Sequence, residues 1–192
     1  MKTGLFFGSF NPVHIGHLII GSHMVNFTDL AQVWFVVSPQ NPLKDKAELL
    51  NDFKRLEMVR LAIEDDSQLH ACDIEFELEK PSYTINTLLR LEEKYPEREW
   101  VLIMGSDTVN TLPKWKNYEQ LVSNYQIYIY PRPEYPLNMN LLSPGMKLVE
   151  EVPLMQISAS YVRKALREGK NVRYLLPQKV FSHIDKWGYY LK

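Results

Sequence analysis

The ten residues GSFNPVHIGH, Gly8 to His17, decide how this chain is read. Just upstream, the apolar run Thr3 to Phe7 predicts a buried first strand. Just downstream, Leu18 to Val25 predicts a helix. A strand, a tight turn of Gly, Asn and Pro, and a helix together present free backbone N–H groups and a positive helix end to an anion. On a helix beginning near Pro12, His14 and His17 lie three apart and share one face close to that end. Gly16, between them, leaves room for a ligand to approach the backbone. The chemistry that suits this turn best is phosphate, carried by a nucleotide. Metal binding ranks lower: zinc asks for more ligands than the pair supplies, the only cysteine is Cys72, and no acid adjoins the histidines. Two surface histidines without a role remain the other reading. The loop carries neither GxGxxG nor GxxxxGK[ST], so neither of those phosphate-binding mechanisms applies.

Working outward, strands and helices alternate. Gln32 to Ser38 predicts a second buried strand, and His70 to Phe76 a third. Trp100 to Met104 predicts a central strand ending in Gly105-Ser106-Asp107. Gln126 to Tyr130 and Lys147 to Val152 follow as further strands. Helices are expected at Asp52 to Glu64, with Phe53, Leu56, Val59 and Ile63 inward, and at Thr84 to Tyr95, with Ile85, Leu88 and Leu89 inward. A short helix at Tyr118 to Val122 and two late ones, from Ser158 and from Gln178, complete the pattern. The expected fold is α/β: a Rossmann-like, mostly parallel sheet with helices on both faces. Pro131 to Pro144 reads as a surface connection and not a linker, because strands resume after it. We expect one domain over residues 1–192, with a C-terminal helical portion from about residue 157. In such sheets ligands bind beyond the carboxyl ends of the strands. The polar turns GSFNPVHIGH, SPQNPLK (Ser38 to Lys44), PSYT (Pro81 to Thr84) and GSD (Gly105 to Asp107) fall at such ends.

Composition narrows the function classes. With 192 residues and 45% apolar content, the chain can bury a substantial core. Its net charge of −1, with acids and bases mixed, offers no footprint for a polyanion and argues against nucleic acid as the partner. No apolar run approaches a membrane span, and the N-terminus enters a strand with no basic leader. One cysteine excludes an internal disulfide framework and fits a cytoplasmic protein.

GSFNPVHIGH resembles the HxGH signature of the nucleotidyltransferase superfamily. Far downstream, ISASYVR, Ile157 to Arg163, resembles the ISxTxxR box that opens a late helix and holds the distal phosphates of ATP. SPQNPLK, KPSYTINTL, IMGSD, LPKWKNYEQL and the final VRYLLPQKVFSHIDKWGYY are together similar to bacterial nicotinate-mononucleotide adenylyltransferases. That likeness implies adenylyl transfer from ATP to nicotinate mononucleotide, giving the dinucleotide and pyrophosphate. It implies ATP contacts at Gly8, Ser9, Phe10, His14, His17, Gly105, Asp107, Ile157, Ser158, Ser160 and Arg163. It places the mononucleotide near Ser9, Lys44, Tyr83, Thr84 and Trp115, with His14, His17, Lys44 and Arg163 as the catalytic set.

The chemistry agrees with those residue types. A phosphate nucleophile is already anionic and needs no general base, so catalysis rests on positioning and on neutralising developing charge. Arg163 offers a guanidinium fork to the departing pyrophosphate, and Lys44 a point charge. Ser158 and Ser160 can cap the helix they open. Free N–H groups near Thr84 would favour a nicotinate carboxylate, and Trp115, between Lys114 and Lys116, can stack on a pyridine ring. Mg²⁺ is expected to arrive with ATP and to take its ligands mostly from ATP and water. Arg163 paired structurally with Glu168 or Glu150, and Lys44 simply solvated, are the plainer readings. Trp34, Trp100 and Trp187 read as core or packing residues. Position 160 is Ser where the box more often has Thr, and Thr111 falls where some relatives place an aromatic. Rival functions are transfer to nicotinamide mononucleotide or phosphopantetheine, a non-catalytic nucleotide-binding regulator, and a synthetase-like fragment. A homo-oligomer is compatible with all of them.

Overall fold

Period-two alternation along the strands sorts the apolar side chains into two layers. The computed structural model describes residues 1–39, 49–153 and 155–191. Strands β1 (Lys2–Gly8), β2 (Gln32–Val37), β3 (Leu69–Cys72), β4 (Glu99–Gly105), β5 (Gln126–Tyr130) and β6 (Met146–Leu148) pair in parallel in the order β3-β2-β1-β4-β5-β6. On one face Phe6, Phe35, Val37, Val101, Ile103 and Tyr130 pack with residues of helices α1 (Ile15–Phe27), α2 (Asp52–Ile63), α6 (Ala159–Arg167) and α7 (Gln178–Trp187). On the other, Leu5, Trp34, Val36, Trp100, Leu102 and Ile129 pack with helices α3 (Thr84–Lys94), α4 (Ser106–Val109) and α5 (Tyr118–Asn124). Burial on both faces accounts for the near-continuous apolar runs of these strands. Among the described residues, no helix is long and apolar enough to cross a membrane.

The strand order reverses between β1 and β4, which opens a crevice beyond their carboxyl ends. Several expectations need correction. The first helix begins at Ile15, with His14 as its N-cap, so Pro12 belongs to the turn. The third strand stops at Cys72, and Ile74–Glu77 winds into a 3₁₀ turn that carries Glu75 into the interior. The last strand spans only Met146–Leu148, and Glu151 beyond it takes a left-handed φ of 59° that an extended strand does not accommodate. Leu56, Val59 and Ile63 are buried as expected, but Phe53, Leu89 and Trp187 are exposed, with Leu91 filling the core position on α3. Phe53 instead meets the edge of Phe76, with ring centroids 5.3 Å apart.

Candidate active site

The phosphate turn is built by backbone geometry first. Gly8 ends β1 where a Cβ would stand 2.8 Å from the Phe10 ring, so only glycine lets that ring tuck underneath. Phe10, at φ 44°, then turns its ring into the core against Phe6, Phe35 and His17. A Cβ on Gly16 would press on the His14 ring at 3.2 Å, so its smallness seats that imidazole. The His14 and His17 rings stack, with centroids 3.6 Å apart and planes 25° from parallel. His17 Nδ1 accepts the His14 amide N–H at 3.2 Å, which leaves Nε2 to carry the ring proton and donate. His14 is 5% exposed and its Nδ1 is buried without a hydrogen-bond partner. Burial, with the charge of Arg132 adding to it, pulls the His14 imidazole down to about 4.

These residues line a cleft of about 1130 Å³. Its walls include Gly8, Ser9, Phe10, His14, His17, Asp107, Ile157, Ser158, Ser160 and Arg163, so the turn, the carboxyl end of β4 and the start of α6 share one site. Gly105 is buried at the end of β4, where an added Cβ would meet Asp107 and Arg132, two residues of the cleft wall. Ser158 caps α6 by accepting the Tyr161 N–H at 3.1 Å. Arg163, one turn into that helix, donates from Nη1 to the Asn11 carbonyl at 2.8 Å and from Nη2 to Ser160 Oγ at 3.4 Å. That arrangement draws α6 onto the phosphate turn. Lys44 lies outside the described residues.

Three groups in this region were not singled out by the sequence. Arg132 follows β5 and lines the cleft, its Nε 4.0 Å from Asp107 Oδ1. The carboxyl-end rule applied to β5 would have pointed to it. Arg55 on α2 is 0% exposed and donates to the carbonyls of Ser9, Ser38 (2.9 Å), Pro39 (3.3 Å) and Leu50 (2.8 Å). Asn11 accepts through its side-chain oxygen from Leu50 N–H at 3.2 Å and from Tyr190 O–H at 2.9 Å.

The residues expected to bind the pyridine nucleotide divide. Ser9 lines the cleft, whereas Tyr83, Thr84 and Trp115 do not. Tyr83 and Trp115 both pack on the rim of the second core layer, and Lys116 Nζ sits 4.5 Å from the Tyr83 ring centroid. The PSYT and PKW segments are therefore neighbours. Phe7 belongs to both regions, lining the cleft while packing against the second layer. At the head of α3, the buried Glu75 carboxyl accepts from Ser82 Oγ at 3.0 Å and Thr87 Oγ1 at 2.8 Å, and burial raises its pKa.

Residues 5–165 match the family model described as cytidylyltransferase-like. A Flavobacterium johnsoniae protein named "Probable nicotinate-nucleotide adenylyltransferase" is 50% identical over 100% of both chains. A Bacteroides thetaiotaomicron protein of the same name is 46% identical, covering 97% of this chain and 92% of that one. Among solved structures, Plasmodium falciparum nicotinic acid mononucleotide adenylyltransferase complexed with NaAD superposes with a TM-score of 0.84 at 21% identity, covering 98% of this chain and 97% of that one. That likeness is one of fold.

Proposed function

Because the chain belongs to the cytidylyltransferase-like family and, within it, to the nicotinate-nucleotide adenylyltransferases, we propose that the cleft between β1, β4 and α6 is where ATP reacts. The reaction is adenylyl transfer from ATP to nicotinate mononucleotide, giving nicotinate adenine dinucleotide and pyrophosphate in NAD biosynthesis. A phosphate oxygen of the mononucleotide forms a bond to the α-phosphorus. The bond from that phosphorus to the oxygen bridging it to the β-phosphorus breaks, and pyrophosphate leaves with the electron pair. No proton need move for the attack, so the side chains act on charge and alignment.

The stacked histidine pair at the head of α1 carries this reading. His17, its tautomer fixed by the His14 amide, donates from Nε2, and the N–H groups of the first turn add the helix dipole. His14, held neutral by its burial, meets phosphate as a dipole; the ligand's charge then favours its protonation. Arg163 and the N–H groups of α6 take the departing pyrophosphate, with Asp107 toward the adenosine ribose. On sequence context alone Lys44 serves the same phosphates. Mg²⁺ arriving with ATP would take its ligands mostly from ATP and water and would help neutralise the phosphate charge. Tyr83, Thr84 and Trp115 hold the pyridine end.

The test is pyrophosphate release from ATP with nicotinate mononucleotide, nicotinamide mononucleotide or phosphopantetheine, in wild type and His17→Ala. The wild type should turn over the nicotinate acceptor best, and His17→Ala should lose at least roughly a hundredfold in kcat/KM, about 3 kcal/mol of transition-state stabilisation. Near wild-type turnover in the variant would remove the histidine pair from the mechanism.

A further inference from the structure

We propose that Tyr190 is a positioning residue of the ATP phosphate site, acting through Asn11 on Arg163. The proposal rests on the reading that Arg163 holds ATP phosphates. Tyr190 lies 179 positions from Asn11 in sequence, yet its hydroxyl donates to Asn11 Oδ1 at 2.9 Å. That oxygen also accepts the Leu50 N–H at 3.2 Å, and the carbonyl of the same residue accepts Arg163 Nη1 at 2.8 Å. Asn11 is 5% exposed and sits within the turn between β1 and α1. Its side-chain oxygen anchors the residue to Leu50 and Tyr190, and an anchored residue holds its own backbone carbonyl, a separate group, in place beneath the guanidinium fork. An amide whose side-chain oxygen takes two donors from different directions has little freedom to rotate.

The backbone is arranged to deliver that contact. Helix α7 ends at Gly188 with φ 64°, and Tyr190 again takes a left-handed φ of 66°. Such a backbone is uncommon for a bulky aromatic residue and persists where surroundings enforce it. It swings the ring back from the helix end to the phosphate turn. The hydroxyl also feels two cations, the half-buried Arg163 and the buried Arg55: each pulls its pKa down, while burial pushes it up more strongly. Tyr190 thus meets the cleft wall at Asn11 from behind without lining the cleft itself.

Tyr190→Phe removes one oxygen and keeps the ring. Assayed by pyrophosphate release, it should raise KM for ATP about threefold to tenfold, the loss of one buried hydrogen bond, and change KM for nicotinate mononucleotide by less than about twofold. Arg163→Lys should raise KM for ATP on its own. In the double variant the two effects should fall short of additive, because both act on the same fork. Additive effects, or equal rises in both KM values accompanied by a lowered melting temperature, would reduce Tyr190 to a packing residue and overturn the proposal. If Arg163→Lys raises KM for ATP and Tyr190→Phe does not, the inference fails while the phosphate reading stands. If Arg163→Lys leaves KM for ATP unchanged, both fail together.

Discussion

At the scale of single residues, legibility followed locality. His14 and His17 could be read because the turn, the spacing and the helix start lie within one decapeptide. Arg55, Asn11 and Tyr190 could not be, because each acquires meaning only from partners far along the chain, such as Ser9 for Arg55 and Asn11 for Tyr190. The state of His14 was likewise unreadable, since it depends on burial and on Arg132 arriving from β5. That state has a measurable consequence. The folded protein keeps His14 neutral down to about pH 4, whereas an unfolded chain protonates it near 6.5. The unfolded state therefore binds the extra proton throughout that interval. The contribution of His14 is complete above about pH 6.5 and is lost as the pH falls toward 4. A shift of that size corresponds to roughly 3 kcal/mol. Urea denaturation from pH 7 to 4 should thus show wild type losing about that much more stability than His14→Gln, since the acidic residues titrate in both proteins. Parallel pH profiles would mean that the imidazole is not held neutral by its surroundings.

At the scale of elements, strands buried on both faces announced themselves, and β5 was legible to its ends. Boundaries failed where a tertiary demand overrode local pattern. Residues His70 to Phe76 are apolar enough for a strand, but Glu75 must reach the hydroxyls of Ser82 and Thr87, and the chain coils after Cys72 to bring it there. Leu89 and Phe53 lie at plausible inward positions, yet the helices carrying them are rotated so that Leu91 and Leu56 fill the core. The segment carrying Trp115 tests what elements do together. Its 3₁₀ turn, Leu112–Lys114, sets the indole half-buried against the second core layer, with Lys116 over the Tyr83 ring at the head of α3. If that junction grips the pyridine ring, Trp115→Ala should cost about 1–3 kcal/mol of stacking, a rise of roughly five- to 150-fold in KM for nicotinate mononucleotide. KM for ATP should move by less than about twofold, because the indole does not line the phosphate cleft. Equal rises for both substrates would mean that the residue props up the fold and does not touch the ring.

At the scale of the whole molecule, the strand order β3-β2-β1-β4-β5-β6 opens the crevice, but hydrogen bonding decides whether its lips stay in register. Arg55 is the connection. From α2 its guanidinium reaches the carbonyl of Ser9 beyond β1, those of Ser38 and Pro39 beyond β2, and that of Leu50 just ahead of its own helix. Among the described residues it pairs with Asp52 at 3.2 Å, itself shared with Lys80 at 3.0 Å. Burial pulls the Arg55 pKa down and Asp52 pushes it back up. Placing a charge at 0% exposure is costly, and the cost is offset only if its donors are used. A planar fork can serve carbonyls on several sides at once, whereas an ammonium cannot reach them all. Arg55→Lys should therefore leave buried carbonyls unpaired and lower unfolding stability by roughly 3 kcal/mol or more. A surface change such as Arg60→Lys, whose partner Asp73 is also solvent-accessible, should cost less than about 1 kcal/mol. Urea denaturation of the two variants beside wild type decides the matter. If Arg55→Lys is as mild as the surface change, the turns beyond β1 and β2 hold their places without the guanidinium, and the packing of the sheet alone keeps the crevice open.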